Sequence, residues 1–221
     1  MFHGKHAYDR LDRAASRAGS DLTQSQREKL VQFAGWLATE ATDAGGIGPE
    51  EGDRLIDRHV ADSIVFAAAW DEEPDDILDV GSGVGLPGIP LAILHPKTAV
   101  TLLDRSTERC RLARRAIRVL GLENVVVEQK DALQPSGRWG AIVFRASLQP
   151  AAALEVALPL MGDQGRAVIG LSRFTEPDEL PDAPSGTSLD LLRIDQGVLD
   201  SPAWLLRMIL TDTRIPDRDT S

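Results

Sequence analysis

The feature that most constrains this chain is a set of glycines that interrupts an apolar segment. Residues 77–80 read Ile-Leu-Asp-Val, and Gly81, Gly83 and Gly85 follow at every second position. Glycine adopts positive φ readily and lets a bound molecule approach the backbone, because it has no Cβ. The pattern predicts a β-strand, a tight turn and the start of a helix, an arrangement that holds nucleotide-like cofactors in α/β proteins.

A second acidic position lies where such a cofactor needs one. Nineteen residues after Gly85, the apolar run 100–103 ends at Asp104. In nucleotide-binding α/β folds, an acid at the end of the second strand accepts hydrogen bonds from ribose hydroxyls. We therefore predict an adenosine-containing cofactor whose ribose is held by Asp104.

The residues around the turn favour S-adenosylmethionine over a dinucleotide. The glycine spacing alone also fits the dinucleotide pattern G-x-G-x-x-G. A pyrophosphate needs free N–H groups at the helix N-terminus, however, and Pro87 and Pro90 offer none. Asp79 would repel a pyrophosphate, whereas it suits the sulfonium and amine of S-adenosylmethionine. An NAD-binding module and a glycine turn without a ligand stay open as alternatives.

The overall composition excludes several classes of protein. With 221 residues, 43% of them hydrophobic, the chain suits one large domain or one domain with an extension. We expect no membrane span, since no apolar run reaches 18 residues, and no secretory signal in the first six residues. The single Cys110 fits a reducing cytoplasm and a structural or surface role, and no Cys/His spacing predicts a metal.

The charge is unevenly distributed along the chain. A net charge of −10 argues against a protein that coats nucleic acid through bulk charge. Yet residues 105–118 hold six arginines and one acid, and four of these arginines share one helical face: Arg111, Arg114, Arg115 and Arg118. This arginine face either contacts phosphates, together with the basic residues Arg10, Arg13 and Arg17, or is simply solvated and paired with acids.

The first 70 residues carry a helical pattern. Thr23 and Gln26 have the spacing of a capping box, and Gly45 and Gly46 end the apolar period that follows. Pro49 then opens a second predicted helix. We therefore predict a helical extension over residues 1–70.

Strands and helices alternate after Pro74. The predicted strands cover residues 77–80, 99–103, 125–129, 141–145, 166–171, 188–194 and 204–212. Repeated β-α units predict an α/β fold with a doubly wound, mostly parallel, seven-stranded sheet, formed by one compact unit over residues 71–221. An antiparallel pair at the end suits a methyltransferase better than a dehydrogenase.

These segments resemble a known family. The run from Asp79 to Ile93, Asp-Val-Gly-Ser-Gly-Val-Gly-Leu-Pro-Gly-Ile-Pro-Leu-Ala-Ile, is similar to the signature of the glucose-inhibited division protein B family. So are Thr101-Leu-Leu-Asp104, the segment 57–63 (Asp-Arg-His-Val-Ala-Asp-Ser) and Arg145-Ala146. The resemblance covers residues 25–172. It implies a class I, Rossmann-like, S-adenosylmethionine-dependent methyltransferase that acts on guanine N7 of 16S ribosomal RNA.

The resemblance also implies roles for individual residues. Gly81 and Leu86 would line the cofactor site, Ala132 and Leu133 would lie on its adenine side, and Arg145 would sit at its mouth. With the positions argued above, the predicted cofactor set is Asp79, Gly81, Gly83, Gly85, Leu86, Asp104, Asp131, Ala132, Leu133 and Arg145. Asp131 either reaches the adenine amino group or caps the next segment.

Arg145 and His59 are the candidate catalytic residues. His59, with Arg58, would face the same opening from the helical extension, although a helix-face histidine has a structural explanation too. A general base is not required, since guanine N7 already carries a lone pair and no proton. The two side chains would instead hold a phosphate, the guanine edge or the cofactor carboxylate.

The chain departs from the family pattern at several positions. The family has Gly-Arg-Ala-Glu where residues 130–133 read Lys-Asp-Ala-Leu, a serine where Phe144 stands, and a lysine-glycine pair that residues 168–171 lack. We expect cytoplasmic action on 16S ribosomal RNA or the small ribosomal subunit. A divergent paralogue that methylates another RNA or a small molecule, and a cofactor-binding protein without catalysis, are the alternatives.

Overall fold

The N-terminal part of the protein is helical. The computed structural model describes residues 4–48, 54–131, 136–173 and 177–211. Helix α1 is Gly4–Arg17, and helix α2 is Gln24–Trp36, which continues through the wider π-helical turn Leu37–Ala41. Helix α3 covers 55–69 and changes along its length from π-helical to α and then to 3₁₀ geometry.

The predicted capping box of α2 is confirmed. The backbone N–H of Gln26 donates to Thr23 Oγ1 at 3.3 Å, and the backbone N–H of Thr23 donates to Gln26 Oε1 at 2.8 Å. This pairing satisfies helix-end N–H groups that would otherwise lack partners. The proposed start of a helix at Pro49 lies outside the described residues.

A seven-stranded sheet follows the helical part. Its strands are β1 (Asp76–Val80), β2 (Ala99–Asp104), β3 (Val125–Gln129), β4 (Trp139–Arg145), β5 (Met161–Arg173), β6 (Thr187–Ile194) and β7 (Ala203–Leu210). The order across the sheet is β3-β2-β1-β4-β5-β7-β6, and β7 runs in the direction opposite to the other six strands. The doubly wound, mostly parallel sheet is therefore confirmed.

Strand β5 begins earlier than predicted. Met161 already pairs with Trp139 of β4, whereas the sequence predicted a start at residue 166. Two glycines in this stretch, Gly162 and Gly165, lie where the pairing between β4 and β5 is irregular. A Cβ on Gly165 would lie 2.6 Å from the carbonyl oxygen of Trp139, so only glycine fits there.

Three helices connect the parallel strands: α4 (Gly88–Leu94), α5 (Thr107–Leu120) and α6 (Pro150–Ala157). Helices α4 and α5 share one hydrophobic core with α1–α3 and one face of the sheet, while α6 packs against the other face. The N-terminal helices thus bury their apolar sides on the sheet domain.

A domain boundary near residue 70, between the helical extension and the sheet domain, stays a prediction. None of the helices in the described ranges is long and apolar enough to cross a membrane.

Candidate functional site

The glycine turn after β1 has the conformation that its sequence predicts. Gly81, Gly83 and Gly85 have φ values of 72°, 59° and 102°, which favour glycine over other residues. The N–H groups of Gly81 and Ser82 both donate to the carbonyl oxygen of Leu103, at 2.7 and 3.0 Å. These bonds hold the turn against the end of β2.

Asp104 is fixed where β2 ends. The residue is only 4% exposed, and its Oδ2 accepts a hydrogen bond from the N–H of Gly83 at 2.9 Å. Oδ1 accepts one from the N–H of Ser106 at 2.8 Å. Because each carboxylate oxygen can accept more than one bond, both oxygens can still receive a ribose hydroxyl.

A cleft of about 370 Å³ opens beside this carboxylate, at the carboxyl ends of the strands. It is lined by Gly81, Leu103, Asp104, Arg105, Arg109, Asp131, Ala146, Ser147 and Leu148. The sheet order reverses between β1 and β4, and open α/β sheets bind ligands at such a switch point. The cleft is therefore our candidate cofactor site.

The structure brings several predicted site residues together at this cleft. Gly81, Asp104 and Asp131 line it directly, and Gly83 belongs to the turn that Asp104 holds. Two further residues of the predicted cofactor set pack against the core. Leu86 is buried there, and a Cβ on Gly85 would lie 2.4 Å from the side chain of Ile89. Ala132 and Leu133 lie outside the described residues, and the cofactor role of each of these residues stays a proposal.

Sequence reasoning missed the cleft residues that directly follow the strands. Arg105 and Arg109 come after β2, and residues 146–148 come after β4. Their position at the carboxyl ends of parallel strands was the available signal. Ala146 has a φ of 54°, which is unusual for a residue other than glycine and has no signature in the sequence.

Asp79 is fully buried beneath the turn. Its Oδ2 accepts a hydrogen bond from the N–H of Gly88 at 2.7 Å. Burial raises the pKa of this carboxyl to about 7, partly opposed by the Gly88 bond and the charge of Arg145, while the charge of Asp104 raises it further. The side chain thus links β1 to the start of α4.

This burial predicts an unusual dependence of stability on pH. Unfolded Asp79 ionises near pH 3.8, whereas the folded carboxyl keeps its proton up to about pH 7. Between these values the folded state holds the extra proton, so stability falls as pH rises, by up to about 4 kcal/mol. Asp79→Asn should therefore stabilise the cofactor-free protein more at pH 8 than at pH 5, as measured by thermal unfolding. A pH-independent difference would contradict the assignment.

The two candidate catalytic residues are in contact. Arg145 donates from Nε to Asp62 Oδ2 at 3.2 Å and from Nη2 to the carbonyl oxygen of Arg58 at 2.8 Å. Arg145 Nη2 also lies 3.3 Å from His59 Nδ1. Because arginine only donates, this contact is a hydrogen bond only while Nδ1 of His59 carries no proton. The side chain of Arg58 pairs instead with Asp200 at 3.5 Å.

Intramolecular contacts engage most of the arginine face. Arg111 binds Glu108, Arg115 binds Glu40, and Arg114 donates to the carbonyl oxygen of Val127 at 3.2 Å. Such exposed pairs are typical of a solvated helix surface.

The same helix buries Cys110, whose thiol donates to the carbonyl oxygen of Asp104 at 3.3 Å. Within the described ranges, no group of three or more His, Cys, Asp or Glu could hold a metal ion.

Comparison of whole folds finds the same architecture in solved structures of methyltransferases. A methyltransferase from Aquifex aeolicus described as dependent on S-adenosylmethionine superposes with a TM-score of 0.51, at 18% identity, over 81% of this chain and 98% of that one. TrmN from Thermus thermophilus gives a TM-score of 0.52 at 20% identity, over 67% and 48% of the two chains. These similarities concern the fold alone, and they confirm the predicted class I architecture.

Sequence comparison is more specific. A profile of the GidB family, described as rRNA small subunit methyltransferase G, matches residues 26–190. Proteins called "Ribosomal RNA small subunit methyltransferase G" are 35% identical in Frankia casuarinae, over 80% of this chain and 71% of that protein, and 32% identical in Mycobacterium marinum, over 96% and 94%. The match includes the glycine turn, Asp104 and Arg145. The chain therefore belongs to the rRNA small subunit methyltransferase G family of S-adenosylmethionine-dependent methyltransferases.

Proposed function

We propose that the protein transfers the methyl group of S-adenosylmethionine to N7 of a guanine in 16S ribosomal RNA. The observation that carries the proposal is the cleft beside Asp104, which lies at the switch point of the sheet. A buried carboxylate fixed by two backbone N–H groups suits a ribose, and the open cleft leaves room for a base. The family supplies the class of substrate.

The reaction requires correct positioning of the two reactants and no proton transfer. N7 attacks the methyl carbon with its own lone pair, the carbon–sulfur bond breaks, and the sulfur keeps that electron pair. The positive charge moves from the sulfonium to the purine ring. The enzyme must hold N7 in line with the methyl group, about 3 Å away, and exclude water. The carboxylate of Asp104 gives a negative potential that suits a positive charge in either place, and Asp79 adds to it above about pH 7, where it loses its proton.

Arg145 and His59 serve this scheme as groups that hold the substrate. The ring of His59, whose Nδ1 lies 3.3 Å from Arg145 Nη2, places a second polar group beside this guanidinium. Arg145 donates from Nε and Nη2 to residues of the helical extension, Asp62 and Arg58. In the described part of the chain its Nη1 has no partner. A guanidinium N–H suits a phosphate or the O6 and N7 edge of guanine.

Binding of RNA to an acidic chain needs a local basic surface. Arg105 and Arg109 line the cleft itself, and the side chain of Arg109 is 60% exposed, with its Nη1 at a distance of 3.9 Å from Asp104 Oδ2. We propose these two arginines as phosphate contacts ahead of the arginine face of α5, because that face is mostly paired with neighbouring groups. The target guanine would lie in an accessible loop of the cytoplasmic small subunit, since A-form helices keep the N7 groove narrow.

One departure from the family pattern, Phe144 in place of a serine, lies away from the cleft. The side chain of Phe144, which replaces a serine, is only 1% exposed and packs in the core on the α6 side of the sheet. Phe144 is not among the residues that line the cleft. Of the residues 130–133 that depart from the family pattern, Asp131 lines the cleft, and this departure keeps a different RNA or a small molecule as the second candidate substrate.

The proposal is tested with small ribosomal subunits from a strain that lacks the gene. The purified protein and labelled S-adenosylmethionine should label 16S RNA, and borohydride–aniline treatment should then cleave the RNA at one new position. Asp104→Ala should strongly reduce both signals at cofactor concentrations near the Kd of the unaltered protein. Labelling of a metabolite extract but not of the subunits would reject 16S RNA in favour of a small-molecule substrate.

A further inference from the structure

The side chain of Arg145 is held by the helical extension, although its backbone belongs to the sheet. Arg145 is the last residue of β4 and directly precedes Ala146, which lines the cleft. Its Nε donates to Asp62 and its Nη2 to the carbonyl oxygen of Arg58, and Nη2 also lies 3.3 Å from the ring of His59. One short segment of α3, residues 58–62, therefore sets the direction of this guanidinium group.

The backbone of that segment is unusual. Residues Leu55–Ala61 form a π-helical turn that carries Arg58 and His59, and Asp62 follows it directly. Such turns are rare and occur frequently at functional sites. Here the turn brings a main-chain carbonyl, a ring nitrogen and a carboxylate to the same arginine side chain.

Asp62 supplies the charge in this arrangement. Its side chain is 14% exposed and that of Arg145 is 20% exposed, so water screens the pair less than it screens a surface pair. Because a guanidinium is planar and rigid, bonds to two of its nitrogens fix the direction of the third. The direction of Nη1 is thus set before any substrate binds.

A neighbouring ion pair on the same helical turn provides a comparison. Asp57 pairs with Arg10 at 3.2 Å, and the two side chains are 21% and 36% exposed. Arg10 belongs to helix α1, so this pair ties two helices of the extension together. The Asp62 pair instead joins the extension to the end of a parallel strand beside the cleft.

We propose that Asp62 is a positioning residue for methyl transfer, which acts through Arg145 and does not touch the substrate. The inference rests on the proposed function, in which Arg145 holds the substrate. A guanidinium that is already oriented loses little rotamer freedom on binding and keeps the reacting atoms aligned. The helical extension then contributes to the reaction through this carboxylate, beyond its share of the hydrophobic core.

Asp62→Asn tests this role, because it removes the charge and keeps the size of the side chain. We expect kcat of methyl transfer to fall about 10- to 100-fold, as for a misplaced positioning group. KM for the acceptor should change by less than about threefold, since Arg145 keeps its own charge. Asp57→Asn, the matched control, should leave kcat within about twofold when all variants are assayed well below their melting temperatures. An Asp62→Asn protein as active as this control would show that Asp62 only stabilises the fold.

A double-mutant cycle shows whether Asp62 acts through Arg145. In an Arg145→Ala background the carboxylate has no guanidinium to orient, so adding Asp62→Asn should slow transfer by no more than about twofold. Losses that multiply in the double variant would mean that Asp62 acts by itself, and they would overturn the inference.

Two features of the experiment separate this inference from the proposed substrate. Transfer is measured on whichever acceptor the unaltered protein labels, small ribosomal subunits or a metabolite extract, so unlabelled subunits reject the substrate and leave the comparison intact. The Nε–H signal of Arg145 in proton–nitrogen NMR spectra needs no acceptor. It should persist in Asp57→Asn and be lost through rapid exchange in Asp62→Asn, and its persistence in both would contradict the inference.

Discussion

Replacing Asp104 with alanine should weaken the binding of S-adenosylhomocysteine by about 5- to 150-fold, the range for a lost charge-assisted hydrogen bond. The carboxylate is the group at the end of β2 that can accept from both ribose hydroxyls. It also holds the glycine turn through the N–H of Gly83. Both effects act on the same ligand, so we expect the upper half of this range. Isothermal titration calorimetry measures it.

Asp76 offers a matched control. Its carboxylate likewise accepts from a backbone N–H, that of Gly140, at 2.6 Å, but it lies at the opposite end of β1. Asp76→Ala should lower the melting temperature and leave the affinity for the cofactor unchanged. An unaltered affinity in Asp104→Ala would show that the ribose binds elsewhere.

The sequence predicted those parts of the fold whose conformation is decided by residues close together in the chain. The positive φ angles of Gly81, Gly83 and Gly85 require glycine, and the capping box of α2 spans only four residues. The early start of β5 could not be predicted, because Gly165 reads as a turn residue until β4 lies beside it. Pairing between strands, not local propensity, decides that stretch.

The same distinction applies to the site. Asp104 could be found because it ends an apolar run at a fixed distance from the glycines. The contact of Arg145 with Asp62 joins residues 83 positions apart, so no periodicity or spacing reveals it. The position of Ser147 beside Gly81 is equally invisible, since it depends on the left-handed backbone of Ala146.

Arg145→Ala should lower both stability and activity. It leaves the carboxylate of Asp62, which is 14% exposed, without the guanidinium that now pairs with it. Loss of one partner from a fully buried pair costs about 3–5 kcal/mol, so the slight exposure here suggests about 2–3 kcal/mol, or roughly 5–10 °C in melting temperature. Since Arg145 also fixes His59, we expect kcat/KM for ribosomal subunits to fall by about 100-fold or more.

Arg166 distinguishes the two effects. Its side chain is 16% exposed, comparable to Arg145 at 20%, and it lies 4.0 Å from Asp71. It sits on β5 next to Ala141, four residues before the cleft end of β4. Arg166→Ala should therefore lower stability without a comparable loss of methyl transfer, when both variants are assayed well below their melting temperatures. Undiminished transfer by Arg145→Ala under those conditions would reduce Arg145 to a structural tie between the helical extension and the sheet, because a group that positions the substrate cannot be removed without slowing the reaction.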